Sequence, residues 1–511
     1  MPTTTRQGYA AGQQITKRLD ALGNLHSGCF GVSWWFVRVH LIAGGAWAMA
    51  TMQTMSFAYM ALSLNKEFPM TNTEKAFLLI GSSMLGAFAG AFIFGYFADT
   101  HGRKFALLVS FVITHAAGTL CAVSSSTLGL TLFRFVVGIG LGGQQPILAT
   151  LIMELAPTSL RGRALVYLDA FWPLGAMFGM LLCREVEPSM GWRAVCALSA
   201  CTFAYIPLLY YCVPESPKWL ATTGKIDEAV RVLRIIEQAS SVFHGEDADD
   251  AIKIDLQLGG LVDDESKRMI LQAHQPSFFE LMGNRFRILM RFPYLPRTLM
   301  LWFVWTTMTM SNSAMLDKAL LVYSVLVAQL LGNLSACALI DRTGRRYTII
   351  CFVLLSSGGS LLEVYLERTM VSMVLSGFCR NFAYMAAWGC LFAYTPELYP
   401  TSIRVIGIGY AWGISRLGYF AGPYVIIWMR DHLQMGDIGV TWVLFGLSIF
   451  VALAIFFFGI ETANRDAEAR GSSMATTRET SGTVISYQKH DDNDDELPIM
   501  GNTGNTPIHI I

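Results

Sequence analysis

Twelve runs of mostly apolar residues, each about twenty long, constrain this chain more than any motif in it. Once water is gone, backbone N–H and C=O groups must bond within their own segment. A run crossing roughly 30 Å of hydrocarbon is therefore a helix of about 20 residues. The runs fall at 37–63, 76–97, 105–124, 128–152, 162–183 and 193–213. After a polar interruption they resume at 297–314, 319–340, 347–366, 370–395, 403–429 and 439–460. Six, an interval and six again predict an all-α integral membrane protein with twelve transmembrane helices in two six-helix halves. With 53% hydrophobic and 14% charged residues, the chain is too apolar for an ordinary globular domain. Its net charge of zero gives no electrostatic pull toward nucleic acid. The ten cysteines lie mostly inside apolar runs such as VCALSACTF and read as small core residues, not as a disulfide framework or metal site.

Loop cations set the orientation. The short loops with Arg103, Lys104, Arg161, Arg163, Arg342, Arg345, Arg346 and Arg404 barely outweigh those with Lys66, Lys75, Arg184, Arg193, Lys318, Arg368 and Arg430. Arg6, Lys17, Arg18, Lys218, Arg285, Arg287, Arg291 and Arg297 decide for the first side. Both termini and the central linker are thus expected in the cytoplasm. The division is a cytoplasmic N-terminal segment (1–35), a first bundle (36–213), a linker (214–296), a second bundle (297–462) and a disordered tail (463–511). The polar N-terminus shows no cleavable signal. In the linker, GKIDEAVRVLRIIEQAS has helical rhythm, with Ile226, Val230, Leu233 and Ile236 on one side. The acidic stretch after it and the tail, with HDDNDDE, have the composition of mobile segments. The turn around AMLDKAL, between the seventh and eighth runs, is unusually tight.

Two motifs recur at one spacing. Asp99 of GYFADTHGRK and Asp341 of ALIDRTGRRY are 242 positions apart; Glu154 and Glu397, in ELAPTSLRG and ELYPTSIRV, are 243 apart, as are Arg161 and Arg404. The halves therefore read as parallel copies, the arrangement that places a substrate site near the midplane between them. Each motif combines an acid, a glycine and cations at a helix end, where charge-assisted bonds can close one face. Gly95, Asp99, Gly102, Arg103, Lys104, Glu154 and Arg161, with Asp341, Gly344, Arg345, Arg346, Glu397 and Arg404, are expected to form two inward-face latches. The alternative is that these charges only enforce topology. Glycines in the second and fourth runs let helices approach closely, for sliding or for packing alone.

GYFADTHGRK resembles the loop signature of the major facilitator superfamily, and IDRTGRR its second-half counterpart. PESPKWL and YTPELYPTSIR resemble the branch of sugar porters and organic-ion transporters. LWFVW, RNFAYMAAWGCLFAYTPELYPTSIRVIGIG and FGIETANR are most similar to the group related to synaptic vesicle protein 2. The likeness spans roughly 15–465 and implies the major facilitator fold and a carrier working by alternating access. It says nothing of the substrate.

Charges inside spans are expensive and usually line a cavity or pair together. Asp169 and Arg416 are read as facing a cavity, with a buried structural pair as the alternative. Arg134, Glu363 and Arg380 are intramembrane charges of open role, and His115 reads as a core histidine. The resemblance implies that the position of Arg416 tends to be basic in carriers of organic anions and acidic in carriers of cations. A guanidinium fork there would suit carboxylates. Gln53, Gln144 and Gln145 could add hydrogen bonds, and Trp172, Tyr384, Trp388 and Trp412 aromatic walls, although helix packing explains each of these aromatics as well. One departure stands out. The resembled group carries acids in the first span where this chain has Ala50 and Gln53, so proton coupling there is doubtful. Exchange, facilitated transport or a proton on Asp169 remain open.

The reading is a secondary transporter of a small organic solute, an anion favoured. Its alternatives are a sugar or polyol carrier and a transport-inactive membrane scaffold. With no nucleophile–base pair, metal cluster or phosphate loop in evidence, an enzyme is not expected, nor is a cofactor. The expected partners are the solute, a coupling proton or counter-anion, and lipid, with a monomeric protein in a plasma or vesicle membrane.

Overall fold

The structure, a computed structural model, describes residues 15–20 and 34–462 apart from 72–73, 75–76, 159, 242–282, 284–285, 293, 314–321, 367–368 and 400–403. The seventh–eighth turn, the acidic part of the linker and the tail lie outside the described residues. Within them, all regular structure is helical. The helices of the first half are α1 (Trp34–Tyr59), α2 (Ser82–His101), α3 (Arg103–Leu120), α4 (Thr127–Leu155), α5 (Arg161–Asp169), α6 (Phe171–Leu198) and α7 (Ile206–Cys212). The linker helix is α8 (Ile226–Ser241). Beyond it come α9 (Leu295–Ser313), α10 (Val322–Thr343), α11 (Arg345–Tyr365), α12 (Met370–Glu397), α13 (Arg404–Asp431) and α14 (Asp437–Phe458).

A helix lies over every expected interval. Among the described residues, five stretches are by themselves long and apolar enough to cross a membrane: Arg103–Val123, Thr127–Leu155, Arg161–Cys212, Arg345–Tyr365 and Asp437–Phe458. Ala170, between α5 and α6, keeps helical dihedrals (φ −62°, ψ −16°) and donates to the Val166 carbonyl at 3.1 Å, so the expected fifth run continues from α5 into α6. Gly191, at φ 78°, turns the chain between the fifth and sixth intervals within α6, a conformation in which an L side chain would be strained. Large apolar residues such as Phe450, Phe457 and Val371 stand exposed on the outside, as lipid-facing positions must. On α8, Ala229, Leu233 and Ile236 are buried, and Glu237 pairs at 3.1 Å with Arg18 of the short helix at 15–20.

α2 and α4 pack with backbones in contact. A Cβ on Gly86 or Gly90 would run into the carbonyls of Phe135 or Ile139, and one on Gly138 or Gly142 into those of Ser83 or Ala87. Small residues at this seam replace the hydrophobic drive that lipid removes. Backbone cannot yield as a side chain tip can, so Gly142→Val is expected to cost at least about 1–3 kcal/mol, read as a lower unfolding midpoint of the purified protein. Gly95→Ala, with nothing within 4 Å of the added carbon, is the silent control.

The halves meet through two matched contacts. α2 packs on α13, and α5 packs on α10 and α12. Between these pairs lies an interior lined by residues of α6, α10, α12 and α13.

Candidate solute-binding site and its closing corners

Near the middle of α13, Arg416 is 4% exposed. Its guanidinium lies over the Trp412 ring at 4.0 Å and near that of Tyr419 at 5.8 Å, neighbours that the i±3 and i±4 spacing puts on one helix face. Its Nε and Nη2 have no hydrogen-bond partner among the described residues. A buried cation with idle donors is costly. The space it faces is also lined by Trp172, Gln329, Tyr384, Met385, Trp388, Trp412 and Tyr419. About 20 Å³ is open to the centre of a water molecule, room for about one water.

Beside this cavity is an aromatic knot that joins the halves. Trp47 of α1 meets Phe392 of α12 at 5.7 Å and Trp412 at 6.1 Å. Trp305 of α9 meets Trp388 at 4.8 Å and Trp412 at 5.5 Å, and its indole N–H donates to Thr395 at 3.0 Å. Edge-to-face contacts of this kind add about 0.5–1.5 kcal/mol beyond burial.

The structure thus brings together Arg416, Trp172, Tyr384, Trp388 and Trp412. Asp169, at the end of α5, is 1% exposed and accepts from Asn333 of α10 at 3.4 Å, a bond across the halves. The glutamines are placed elsewhere. Gln144 donates to the Ala46 carbonyl of α1 at 3.0 Å, Gln53 lies against Gly118 of α3, and Gln145 is buried in α4. Arg134 donates to the Gln53 carbonyl and to Ser83 at 3.4 and 3.3 Å and lies over Phe57, so it ties α1, α2 and α4 together. Glu363 and Arg380 pair at 3.3 Å. His115 is fully buried against Phe111.

Both corners are built alike. Arg103 pairs with Asp99 at 3.2 Å and Glu154 at 3.3 Å and donates to the Ala98 carbonyl at 3.0 Å. Arg345 pairs with Glu397 at 3.3 Å and donates to the Ile340 carbonyl at 3.3 Å. Lys104 lies over Tyr210 at 4.7 Å, and Arg346 over Phe456 at 4.8 Å. Arg161 donates to the Ala156 carbonyl at 3.4 Å, and Gly162 beside it lies close to Arg345 and Glu397 of the other half. The side chains of Asp341 and Arg404 lie outside the described residues.

Two acids that the motifs did not single out complete the corners. Glu215 accepts from the backbone N–H of Arg103 at 2.9 Å and of Lys104 at 3.1 Å. Glu461 does the same for Arg345 at 2.9 Å and Arg346 at 3.2 Å. Each carboxylate thus caps a helix N-terminus, where free N–H groups and the dipole favour negative charge. Gly102 and Gly344, at φ 103° and 87°, turn the chain into these helices, and a Cβ on either would collide with its glutamate. The signal was in the sequence: Glu215 is the acid of PESPKWL and Glu461 that of FGIETANR.

At the opposite end, Glu67 receives Arg193 on both oxygens, at 2.6 and 2.7 Å, and the Trp192 indole at 2.7 Å. These bonds hold its carboxyl below the usual glutamate range. A depressed carboxylate contributes stability that is present above its unfolded value and lost as pH falls through the folded one. Because the pair is two-fifths exposed, its worth is under about 1 kcal/mol. The unfolding midpoint of Glu67→Gln is expected slightly below wild type at pH 7, the gap closing under pH 4.5, the ordinary value for a glutamate.

Residues 42–470 match the sugar (and other) transporter family. The chain is 30% identical to the niacin transporter NiaP of Acinetobacter baylyi, over 84% of this chain and 95% of that one. It is 25% identical to the synaptic vesicle 2-related protein of Xenopus laevis, over 94% and 85%. Its fold matches the proton:xylose symporter XylE of E. coli, with a TM-score of 0.68 and 19% identity over 86% of this chain and 99% of that one. The expectation of a non-enzymatic carrier agrees with these relatives, and the chain belongs to the sugar (and other) transporter family, as a multi-pass membrane protein of the major facilitator fold that moves small solutes.

Proposed function

We propose that the solute is a small planar organic anion of the nicotinate kind, held with its carboxylate on Arg416 and its ring among Trp172, Tyr384, Trp388 and Trp412. The observation that carries this reading is a buried guanidinium with idle donors inside an aromatic cavity. A fork binds both carboxylate oxygens at once, and the rings remove the solute's flat apolar faces from water. That a relative at 30% identity is a niacin transporter supports the same chemistry. In this reading residues 36–213 and 297–462 are two bundles of six spans each, with both termini cytoplasmic. They rock about the cavity while the Arg103 and Arg345 corners lock and release one face.

The test is counterflow of labelled nicotinate in proteoliposomes of the full chain. Benzoate is expected to compete, with nicotinamide and xylose at least tenfold weaker. Competition by xylose alone would transfer the site to sugars. No counterflow of either solute would leave the scaffold reading standing.

A further inference from the structure

A second cavity lies inside the second half, between α9, α11, α12 and α14. About 50 Å³ of it is open to the centre of a water molecule, against about 20 Å³ in the Arg416 cavity. Tyr384 lines both spaces, and its ring lies nearly parallel to that of Trp388, 6.1 Å away at 24°. Asn381, one turn earlier on α12, lines the second cavity. Its side-chain oxygen accepts from Gln329 of α10, which lines the first, at 3.3 Å. The Asn381 amide also donates to the Gly377 carbonyl at 2.8 Å. The partition between the two spaces is therefore one phenol ring beside one anchored amide pair.

The chemistry changes across that wall. On one side stand aromatic rings and a cation; on the other, Thr307 and Ser311 of α9, Ser356, Ser357 and Ser360 of α11 and Ser448 of α14. Ser357 donates to the Val353 carbonyl at 2.9 Å and Ser448 to that of Leu444 at 3.0 Å. Ser360 donates to the Ser356 carbonyl at 3.3 Å, and Ser356 to that of Arg380 at 3.2 Å. With their hydrogens given to backbone, these oxygens keep lone pairs for a further donor. Ser311 Oγ is buried with no hydrogen-bond partner among the described residues. Arg380, the cation among the described lining residues, is paired with Glu363 at 3.3 Å. The lining therefore offers acceptors without an uncompensated charge, which suits an alcohol or polyol group.

We propose that Tyr384 is the specificity-determining wall of the solute site, and that the space behind it is a subsite for a neutral, hydroxylated arm on the solute. The inference rests on the reading of the Arg416 cavity as an aryl-anion site and adds to it where such a solute must end. A ring held by its carboxylate at Arg416 has Tyr384 as one wall, so a substituent directed there is stopped by the phenol. With that ring removed, the aromatic and the hydroxyl-lined spaces become continuous. An arm that donates hydrogen bonds then meets serine oxygens. An apolar arm of equal length takes water from those oxygens and leaves them unpaired. A site built to receive a hydroxyl rejects the analogue lacking it for the same reason.

The experiment measures binding to the purified full chain as the ligand-induced rise in its unfolding midpoint. The probes are benzoate, the 3- and 4-(2,3-dihydroxypropoxy)benzoates and the butoxybenzoates of matching length. Wild type is expected to bind benzoate at least tenfold more tightly than any substituted probe. Tyr384→Ala is expected to bind the better dihydroxypropoxy isomer at least tenfold more tightly than wild type does, and the butoxy probes less than threefold more tightly. Tyr384→Phe keeps the ring and should keep the rejection within about threefold. Filling the far chamber in the open background, with Tyr384→Ala/Ser311→Leu, should abolish the gain. Equal binding of benzoate and the dihydroxypropoxy probes by wild type overturns the proposal without any variant having to fold. An equal gain for both kinds of arm in Tyr384→Ala also overturns it, because the arm would then lie among the rings and not the hydroxyls. Absence of benzoate binding to wild type sinks the aryl-anion reading itself and this inference with it, whereas benzoate binding without a selective gain sinks this inference alone.

Discussion

Replacing Arg416 by Gln is expected to lower nicotinate kcat/KM by about 30- to 1000-fold while leaving the protein as stable as wild type or more so. The two effects share one cause. The guanidinium has idle donors in an apolar, aromatic setting, so it carries a desolvation cost that, among the described residues, the rings of Trp412 and Tyr419 repay only in part. Gln fits the same helix and carries no charge, so the cost disappears. The bound anion, however, loses a charge-assisted fork, worth about 2–4 kcal/mol where the pair is enclosed, which converts to the stated fold-change. Arg416→Lys separates charge from shape. It keeps the cation but not the planar fork or the stacking on Trp412, and should recover part of the loss. Lost transport together with a fallen unfolding midpoint would mean that Arg416 is a structural anchor and the anion site lies elsewhere.

Much of this was readable from residues because hydrocarbon leaves the backbone so few choices. Helix placement came from run length, and the corner motifs carried their own spacing. Arg103 and Arg345, 242 positions apart, each reach back to the carbonyl five residues earlier, Ala98 and Ile340. The two capping acids were harder to see. Glu215 and Glu461 are 246 positions apart, an offset that differs from the motif spacing, so no repeat flags them. Side-chain direction was the larger obstacle. A soluble helix betrays its inner face by amphipathicity; here lipid and core are equally apolar, and the pattern is silent. Hence Trp47, which reaches Phe392 and Trp412 of the other half, and Trp305, which packs beside them, looked like any aromatic in an apolar run. Gln144 and Gln53 looked like cavity groups, yet they face neighbouring helices. Arg416 stood out because a cation is dear on any face.

Arg103→Ala is expected to be among the most damaging single changes outside the cavity. Arg103 is 7% exposed, more enclosed than the exposed pairs worth about 0–1 kcal/mol. It stands between Asp99 and Glu154, with Glu215 capping its own helix. Removing it leaves three carboxylates in one half-dry corner with no cation at their centre. For a buried pair, that kind of loss costs about 3–5 kcal/mol, most of it from the stranded partners and not from the missing bond. The double variant Arg103→Ala/Glu154→Gln should therefore be more stable than Arg103→Ala alone, although it lacks one more native interaction. Additive losses, measured by unfolding of the purified proteins, would show that the corner is held by packing and helix capping. Recovery in the double variant would show that charge balance sets how firmly this corner is held.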